Sequence, residues 1–301
     1  NRSDLIKKSL ERLNNISFIN IWIFIDGPRK KNSSDIFQNK LIKEICKDFQ
    51  IKAKRKKFHS NNLGCRRGVN EAISWFFSKN EYGFILEDDI EINIDYLRYV
   101  KELLSLYKYD NRVSSISSHT YLKSYKSNKK NNLLYLSPLC RVWGWGTWKR
   151  SWNNYIAFKD RIKKKDVHGI FFEMPNQYKN FNSILRIWKC INGDFDTWDY
   201  EWNFFHLKSG TYSITPDRFF SLNHGFRQDA THTSNEKDMP WENIDNFSLK
   251  EFEKINSLNF PEKKIYAEIC DECGFPINNN IFIEYFILLK YIIRKNFLLK
   301  N

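Results

Sequence analysis

Long apolar runs are the first thing that this sequence of 301 residues lacks. A membrane-spanning helix needs about 18 consecutive apolar residues. The nearest candidate is IFIEYFILLKYIIRKNFLLK at 281–300, and Glu284, Lys290, Arg294 and Lys295 interrupt it. We therefore expect no spanning segment. The tail has two interpretations: a basic amphipathic helix lying on a membrane surface, or a helix packed on the domain.

Closely spaced cysteine pairs are also scarce. The six cysteines are spread along the chain, which is typical of reduced thiols in a cytoplasmic protein and not of a disulfide framework. Only CDEC at 270–273 has the spacing of metal ligands, and without a second pair it is weak evidence for zinc. Internal repeats and long linkers are missing too. A chain of this length forms one large domain or two small ones.

Acidic residues are outnumbered, because 35 Asp and Glu face 49 Lys and Arg and leave a net charge of +14. The excess favours acidic partners such as nucleotides, phosphate groups or anionic lipids. A lysine- and asparagine-rich composition from an AT-rich genome would account for it equally well. The basic stretches KAKRKK and KDRIKKKD are separated and no known nucleic-acid module accompanies them, so we expect no nucleic acid partner.

Strand and helix patterns alternate over the first 110 residues. FINIWIFIDGP and YGFILEDD predict buried strands, and IKAKRKKF predicts a short or edge strand. SDLIKKSLERLNN, residues 35–49, GCRRGVNEAISWFFSK and IDYLRYVKELLSLYK predict helices, the last capped at Asp95. This alternation is typical of a parallel α/β half. Because a doubly wound sheet normally has a central strand before its first helix, we expect a strand upstream of residue 1.

Three consecutive acids, Glu87, Asp88 and Asp89, end one of these strands. The carboxyl ends of strands form the ligand crevice of an α/β sheet, so we expect these acids to converge with Asp26 of FIDGP. Mn²⁺ or Mg²⁺ would neutralise them and hold a diphosphate. The alternative is that the acids only favour the first turn of the following helix.

Six motifs carry a resemblance over residues 1–235: FIDGPR, NNLGCRRGVNEAISWFF, GFILEDDIEINIDYLRYVKELL, RVWGWGTWKRSW, TWDYEW and NHGFRQDATHT, in that order. The chain resembles the hemolytic-protein-like bacterial sugar transferases. It is more distantly similar to the N-acetylglucosaminyltransferase that starts complex N-glycans. Both belong to the GT-A class of glycosyltransferases.

The resemblance implies a GT-A fold, which is a Rossmann-like, mostly parallel sheet flanked by helices, followed by a mixed acceptor-binding half. Residues 1–110 would form the nucleotide-sugar half and residues 111–245 the acceptor-binding and catalytic half of the same domain. Residues 246–301 carry no recognised motif and would form a helical extension.

The resemblance also assigns roles. The donor would contact Asp26, Arg29, Arg66, Arg67, Glu87 and Asp88. Asp89 and His232 would hold Mn²⁺ or Mg²⁺. His232 would reach the ion from a lid at 223–240. Gly144, Trp145 and Trp198 would line the acceptor side. Asp199 would be the general base, with Glu201 as the alternative. The competing interpretations are a surface pair for Arg66 and Arg67, an aromatic core for Trp145 and an acidic helix start for Asp199.

These roles imply an inverting, metal-dependent hexosyl or N-acetylhexosaminyl transfer from a UDP-sugar to a glycan or lipid-linked acceptor. The expected setting is surface glycan or polysaccharide synthesis in the cytoplasm, at the inner face of the membrane. The alternative function is a catalytically inactive GT-A-fold protein that binds sugar or acts as a scaffold. We expect such a protein to have a damaged EDD or to lack Asp199, and this sequence retains both.

Overall fold

The computed structural model describes residues 2–48, 53–121, 134–163, 165–226, 244–248, 260–261, 263–277 and 280–298. The helices in these ranges are α1 (Ser3–Asn14), α2 (Ser33–Asp48), α3 (Cys65–Phe77), α4 (Ile94–Leu106), α5 (Lys149–Ile162), α6 (Val167–Glu173), α7 (Phe181–Asn192), α8 (Asp199–Ser209), α9 (Lys263–Glu272) and α10 (Ile281–Leu298). The strands are β1 (Ile21–Ile25), β2 (Ala53–Phe58), β3 (Tyr82–Ile85), β4 (Ile90–Ile92), β5 (Val113–Ser117), β6 (Leu134–Ser137), β7 (Trp145–Trp148), β8 (Tyr212–Pro216) and β9 (Ser221–Asn223). The described part of the chain is thus mixed α/β.

The main sheet is mixed, with five strands in the order β3-β7-β5-β8-β6. Only β5 and β8 are parallel, and the other three pairings are antiparallel. The prediction of a mostly parallel sheet is therefore wrong for the described residues of this sheet. Two of the antiparallel pairings are made by β7, the WGTW segment predicted to line the acceptor side, and the third joins β6 to β8.

The predicted parallel βαβ unit is present at the start of the chain, where β1 and β2 pair in parallel through α2. This pair is separate from the five-stranded sheet. Helix α3 packs against both: the Phe76 ring lies 5.5 Å from the ring of Trp22 on β1 and also contacts Gly83 on β3. The short strands β4 and β9 form a further antiparallel pair.

A large aromatic core lies beneath α5, α7 and α8. Trp145, Trp152 and Trp202 are fully buried there, with ring centroids 5.1 to 5.8 Å apart around Trp202. Residues of α9 and α10, among them Cys270 and Leu288, belong to the same cluster. The C-terminal helices therefore share a core with the rest of the chain.

Two further predictions concern the state of the cysteines and the presence of a membrane-spanning helix. All six cysteines are free, and burial raises the pKa of Cys270 in the CDEC segment to about 12, so this thiol is a protonated core group. No described helix has the length and apolar character needed to cross a bilayer.

Candidate functional site

The side chain of Arg2 is bound to two of the three acids that follow β3. Its guanidinium donates to Asp88 through Nη2 and Nε, at 2.6 and 3.2 Å, and to Asp89 through Nη1 at 2.9 Å. Helix α1 begins at the next residue and adds a second contact, in which Ser9 Oγ donates to the backbone oxygen of Asp88. A positive partner for these carboxylates is thus supplied by the chain itself.

The third acid, Glu87, is held largely neutral. Burial and the nearby charges of Asp89, Asp88 and Asp199 raise the pKa of Glu87 to about 8. Burial and Asp88 also raise the pKa of Asp89, against the opposing effect of Arg2. The repulsion among the three neighbouring acids is therefore reduced in two ways: by the Arg2 guanidinium and by the proton that Glu87 retains.

Asp26 lies beyond the end of β1 and fixes the loop that leads into α3. Its carboxylate accepts hydrogen bonds from the backbone N–H of Leu63 at 2.9 Å, from that of Gly27 at 2.8 Å and from Asn62 Nδ2 at 3.0 Å. These bonds bring the end of β1 to the first turn of α3. The carboxylate of Asp26 is thus occupied by three hydrogen bonds from the chain itself. Its predicted contact with the sugar donor stays a prediction.

The start of α3 collects acids from distant parts of the chain. The backbone N–H groups of Cys65 and Arg66 donate to the carboxylate of Asp196, at 2.8 and 2.9 Å. Gly64, at φ +80°, permits this approach, because a Cβ there would lie 2.5 Å from Asp196 Oδ2. Burial raises the pKa of the Cys65 thiol, with further contributions from Glu87, Asp196, Asp199 and Asp89 in that order. Two carboxyls of the EDD segment and two of the DFDTWDYEW segment therefore lie near enough to Cys65 to act on its pKa.

The acids of the DFDTWDYEW segment have different surroundings. Asp194 is exposed and Asp196 caps α3. Asp199 is the first residue of α8, is half-buried, and accepts a hydrogen bond from Thr197 Oγ1 at 2.5 Å. It is near enough to Glu87 to raise that residue's pKa. Asp199 thus combines partial exposure with proximity to the EDD acids.

Glu201 is fully buried and paired with Arg66, which corrects its prediction as the alternative base. Glu201 Oε1 accepts from Arg66 Nη2 at 2.7 Å and from Nε at 3.0 Å. Tyr155 Oη donates to its other oxygen at 3.3 Å. A carboxylate without solvent access cannot reach an acceptor hydroxyl, so Glu201 is not placed to be a base. Arg66 is held in this pair, and its predicted contact with the sugar donor stays a prediction.

The acceptor-side predictions also need correction. Trp145 and Trp198 are buried and stack on each other, with centroids 5.5 Å apart, so neither presents a face to a sugar. Gly144, at φ +78°, is required by the fold, since a Cβ there would lie 2.7 Å from Ser118 Oγ. The core interpretation of this aromatic cluster is the one that the structure supports.

Trp143 is the aromatic residue that sequence reasoning missed. It is partly exposed just before β7, and the Arg141 guanidinium lies 3.6 Å from its ring centroid. The rings of His119 and Phe226 lie 5.0 and 5.6 Å from it. The sequence pattern of RVWGWGTW does not distinguish Trp143 from the buried Trp145.

The remaining predicted contacts are distributed differently. Arg29 forms an ion pair with Asp35, at 2.5 Å through Nε, and Arg67 is exposed. His232 and most of the predicted lid at 223–240 lie outside the described residues. At the start of that segment, the backbone N–H of His224 donates to the backbone oxygen of Asp89 at 2.8 Å. The Nε2 of His224 lies 2.7 Å from Glu91 Oε2. Sequence reasoning did not single out His224.

A small cleft of about 60 Å³ lies between α1 and these acids. It is lined by Leu5, Lys8, Ser9, Arg12, Asp88, Asp89, Glu91 and His224. The volume accommodates about two water molecules, whereas pockets for organic ligands typically hold about 300 Å³ or more. Among the described residues, the cleft therefore has room for an ion, and a bound nucleotide would extend beyond it.

The residues around this cleft fit a divalent ion only in one binding mode. Within the described ranges, no three His, Cys, Asp or Glu side chains are arranged to hold a metal. Mg²⁺, however, is commonly bound by one or two carboxylates, with substrate phosphates and water completing its shell. Asp88 and Asp89 suit that mode, and an ion there would compete with the Arg2 guanidinium.

Comparison with known proteins adds no assignment to this geometry. No family model matches the chain, and no curated protein matches it significantly. The likeness of its motifs to the GT-A sugar transferases remains a prediction from the sequence.

Proposed function

We propose that the chain is a glycosyltransferase that moves a sugar from a nucleotide-diphosphate sugar, most simply a UDP-sugar, to a hydroxyl group of a glycan or lipid-linked acceptor. The observation that carries this proposal is the proximity of Asp199 to the acids after β3, around Cys65. An inverting transfer needs a carboxylate base and a separate group of charges for the diphosphate. The ordered motifs of the sequence support the same assignment.

In the proposed reaction, Asp199 accepts the proton of the acceptor hydroxyl while that oxygen attacks the anomeric carbon. Thr197 orients the carboxylate through its 2.5 Å hydrogen bond. Arg2 carries a planar guanidinium suited to phosphate oxygens, and it lies at the EDD acids. A divalent ion held by Asp88 and Asp89 would stabilise the negative charge of the leaving diphosphate.

The direct test is incubation with a panel of nucleotide sugars, with and without Mn²⁺. Thermal shift identifies the donor, and NMR of the product gives the configuration at the anomeric carbon. We expect one donor class to stabilise the protein and the product configuration to be inverted. A product with retained configuration would contradict the role of Asp199.

We predict that Asp89→Asn weakens Mn²⁺-dependent UDP binding by at least about tenfold, or ~1.4 kcal/mol. The change removes a charge that the ion needs and keeps the shape of the side chain. Titration calorimetry of UDP with Mn²⁺ present measures the effect. Asp95→Asn is the matched control, since Asp95 is exposed on α4 and pairs with Arg98. UDP binding by Asp89→Asn as tight as that of the wild type would rule out the ion site.

A second prediction follows from the competition between Arg2 and the ion. Arg2→Gln removes the guanidinium from Asp88 and Asp89, so we expect Mn²⁺ alone to bind about tenfold more tightly or better. The free Mn²⁺ signal in electron paramagnetic resonance reports this without any turnover. Arg67→Gln, at an exposed arginine on α3, is the control. Unchanged or weaker Mn²⁺ binding in Arg2→Gln would show that these carboxylates are not the ion site.

The Arg2 ion pairs also support the second candidate function, a sugar-binding or scaffold protein without catalysis. In that case Arg2 permanently neutralises Asp88 and Asp89. The two candidates differ in one result: binding of a nucleotide sugar or glycan with no product formed under any metal condition would favour the non-catalytic protein.

A further inference from the structure

We propose that the exposed face of α10 binds an anionic lipid surface. This lipid face is made of Phe282, Ile283, Phe286, Ile287, Lys290, Ile293 and Arg294, all of them exposed. The proposal is independent of the proposed sugar transfer, because it concerns a different part of the fold and needs no donor.

The opposite face of α10 is packed on the protein, which fixes the orientation of the helix. Leu288 is fully buried. Glu284 accepts from the backbone N–H of Phe181 at 2.8 Å, at the start of α7, and Tyr285 Oη lies 3.2 Å from His168 Nε2 on α6. The ring of Tyr291 lies 5.4 Å from that of Phe181. The helix is thus attached along its length and presents one defined side outward.

The outward side is largely apolar. Phe282 is 83% exposed, Ile293 67% and Phe286 58%, and their spacing of four and seven residues places them along one line of the helix. Phe172 on α6 is also 58% exposed and lies beside α10, with its ring 6.1 Å from that of Tyr285. A contiguous apolar surface of this kind is uncommon on a soluble monomer and marks an interaction site.

The charges on this face favour an anionic lipid surface over a second copy of the chain. Lys290 and Arg294 lie among the apolar residues, and the Lys290 Nζ is 4.5 Å from the Phe286 ring centroid. The single acid in the sequence of α10, Glu284, is turned inward to α7. Two such faces brought together would oppose like charges, whereas acidic head groups would meet two cations and the apolar side chains would enter the interface.

The test is cosedimentation of the full chain with vesicles. Wild type is expected to bind vesicles of equal parts phosphatidylglycerol and phosphatidylcholine, and not vesicles of phosphatidylcholine alone. Lys290→Glu with Arg294→Glu should lower binding at least about tenfold, since each surface cation contributes about fivefold. Phe282→Ser with Phe286→Ser should have an effect of similar size. Phe37→Ser, at a 64% exposed residue on α2, is the matched control and should bind like the wild type.

Every outcome bears on the proposal. The replaced side chains are exposed, so circular dichroism and melting of the variants should match those of the wild type. Equal binding of the variants and the wild type, or equal binding of the wild type to neutral vesicles, would overturn it. A concentration-dependent dimer that the Phe282→Ser and Phe286→Ser changes abolish, without vesicle binding, would assign the face to a second copy instead. The vesicle-binding result does not depend on whether the chain transfers sugar.

Discussion

Replacing Asp199 with asparagine is expected to lower the rate of sugar transfer by about 10² to 10⁴, the contribution typical of a general base. Asparagine has the same shape and can still accept the hydrogen bond from Thr197, so α8 should begin as before. Its amide cannot take a proton from the acceptor hydroxyl. The loss should therefore fall on kcat and leave donor binding nearly intact.

Two further variants sharpen this experiment. Asp194→Asn changes an exposed acid five residues earlier and should retain nearly full activity. UDP binding, measured for each protein by calorimetry, separates a lost base from a lost donor site. Substantial transfer by Asp199→Asn, with inactive but folded Glu201→Gln, would move the role to Glu201 and contradict the interpretation of its burial.

The elements of the first half could be predicted because their signals are local. Periodic apolar residues and turn residues indicated α1 and α3 to within two residues of their observed bounds, and they indicated β1 and β3, which are shorter than the predicted segments. The cap of α4 was misassigned by two positions: Asn93, and not Asp95, accepts from the backbone N–H of Tyr96. The N-cap is the residue whose φ and ψ leave the helical region, and composition does not determine which residue that is.

The sheet and the partners of the acids could not be predicted from the sequence. The order of the five strands depends on which edges meet, and the antiparallel insertion of β7 has no local signature. Likewise, Arg2 lies 86 residues from Asp88, and Arg66 lies 135 from Glu201. Charge patterns near these residues suggested a cation and a base, but only the folded chain shows which acids already have partners.

The burial of Trp145 illustrates the same limit. An aromatic residue between two glycines suits a sugar-stacking surface and a close-packed core equally well. Its neighbours decide, and here they are Trp198 and Trp202, whose ring centroids lie 5.5 and 5.1 Å from that of Trp145. The partly exposed Trp143 lies only two positions earlier, so the segment carried an accessible aromatic residue at a position that the pattern did not distinguish.

Replacing Arg66 with methionine is expected to lower the free energy of unfolding by about 3 kcal/mol, because it leaves the Glu201 carboxylate buried without its partner. The Glu201 side chain has no solvent exposure, and that of Arg66 has 21%. Residual access of water to Arg66 places the effect at the low end of the range of about 3 to 5 kcal/mol typical of broken buried pairs. Urea denaturation followed by circular dichroism measures it.

The neighbouring arginine supplies the control. Arg67→Met changes the same residue type one position along α3, where the side chain is exposed, and should alter stability by about 0.5 kcal/mol or less. Arg66→Met combined with Glu201→Met removes both charges and should recover most of the loss, since an apolar pair of similar volume needs no charge partner. A double variant as unstable as Arg66→Met alone would show that packing of the arginine, and not its charge, stabilises this part of the fold. Recovery would establish Glu201 as a structural carboxylate.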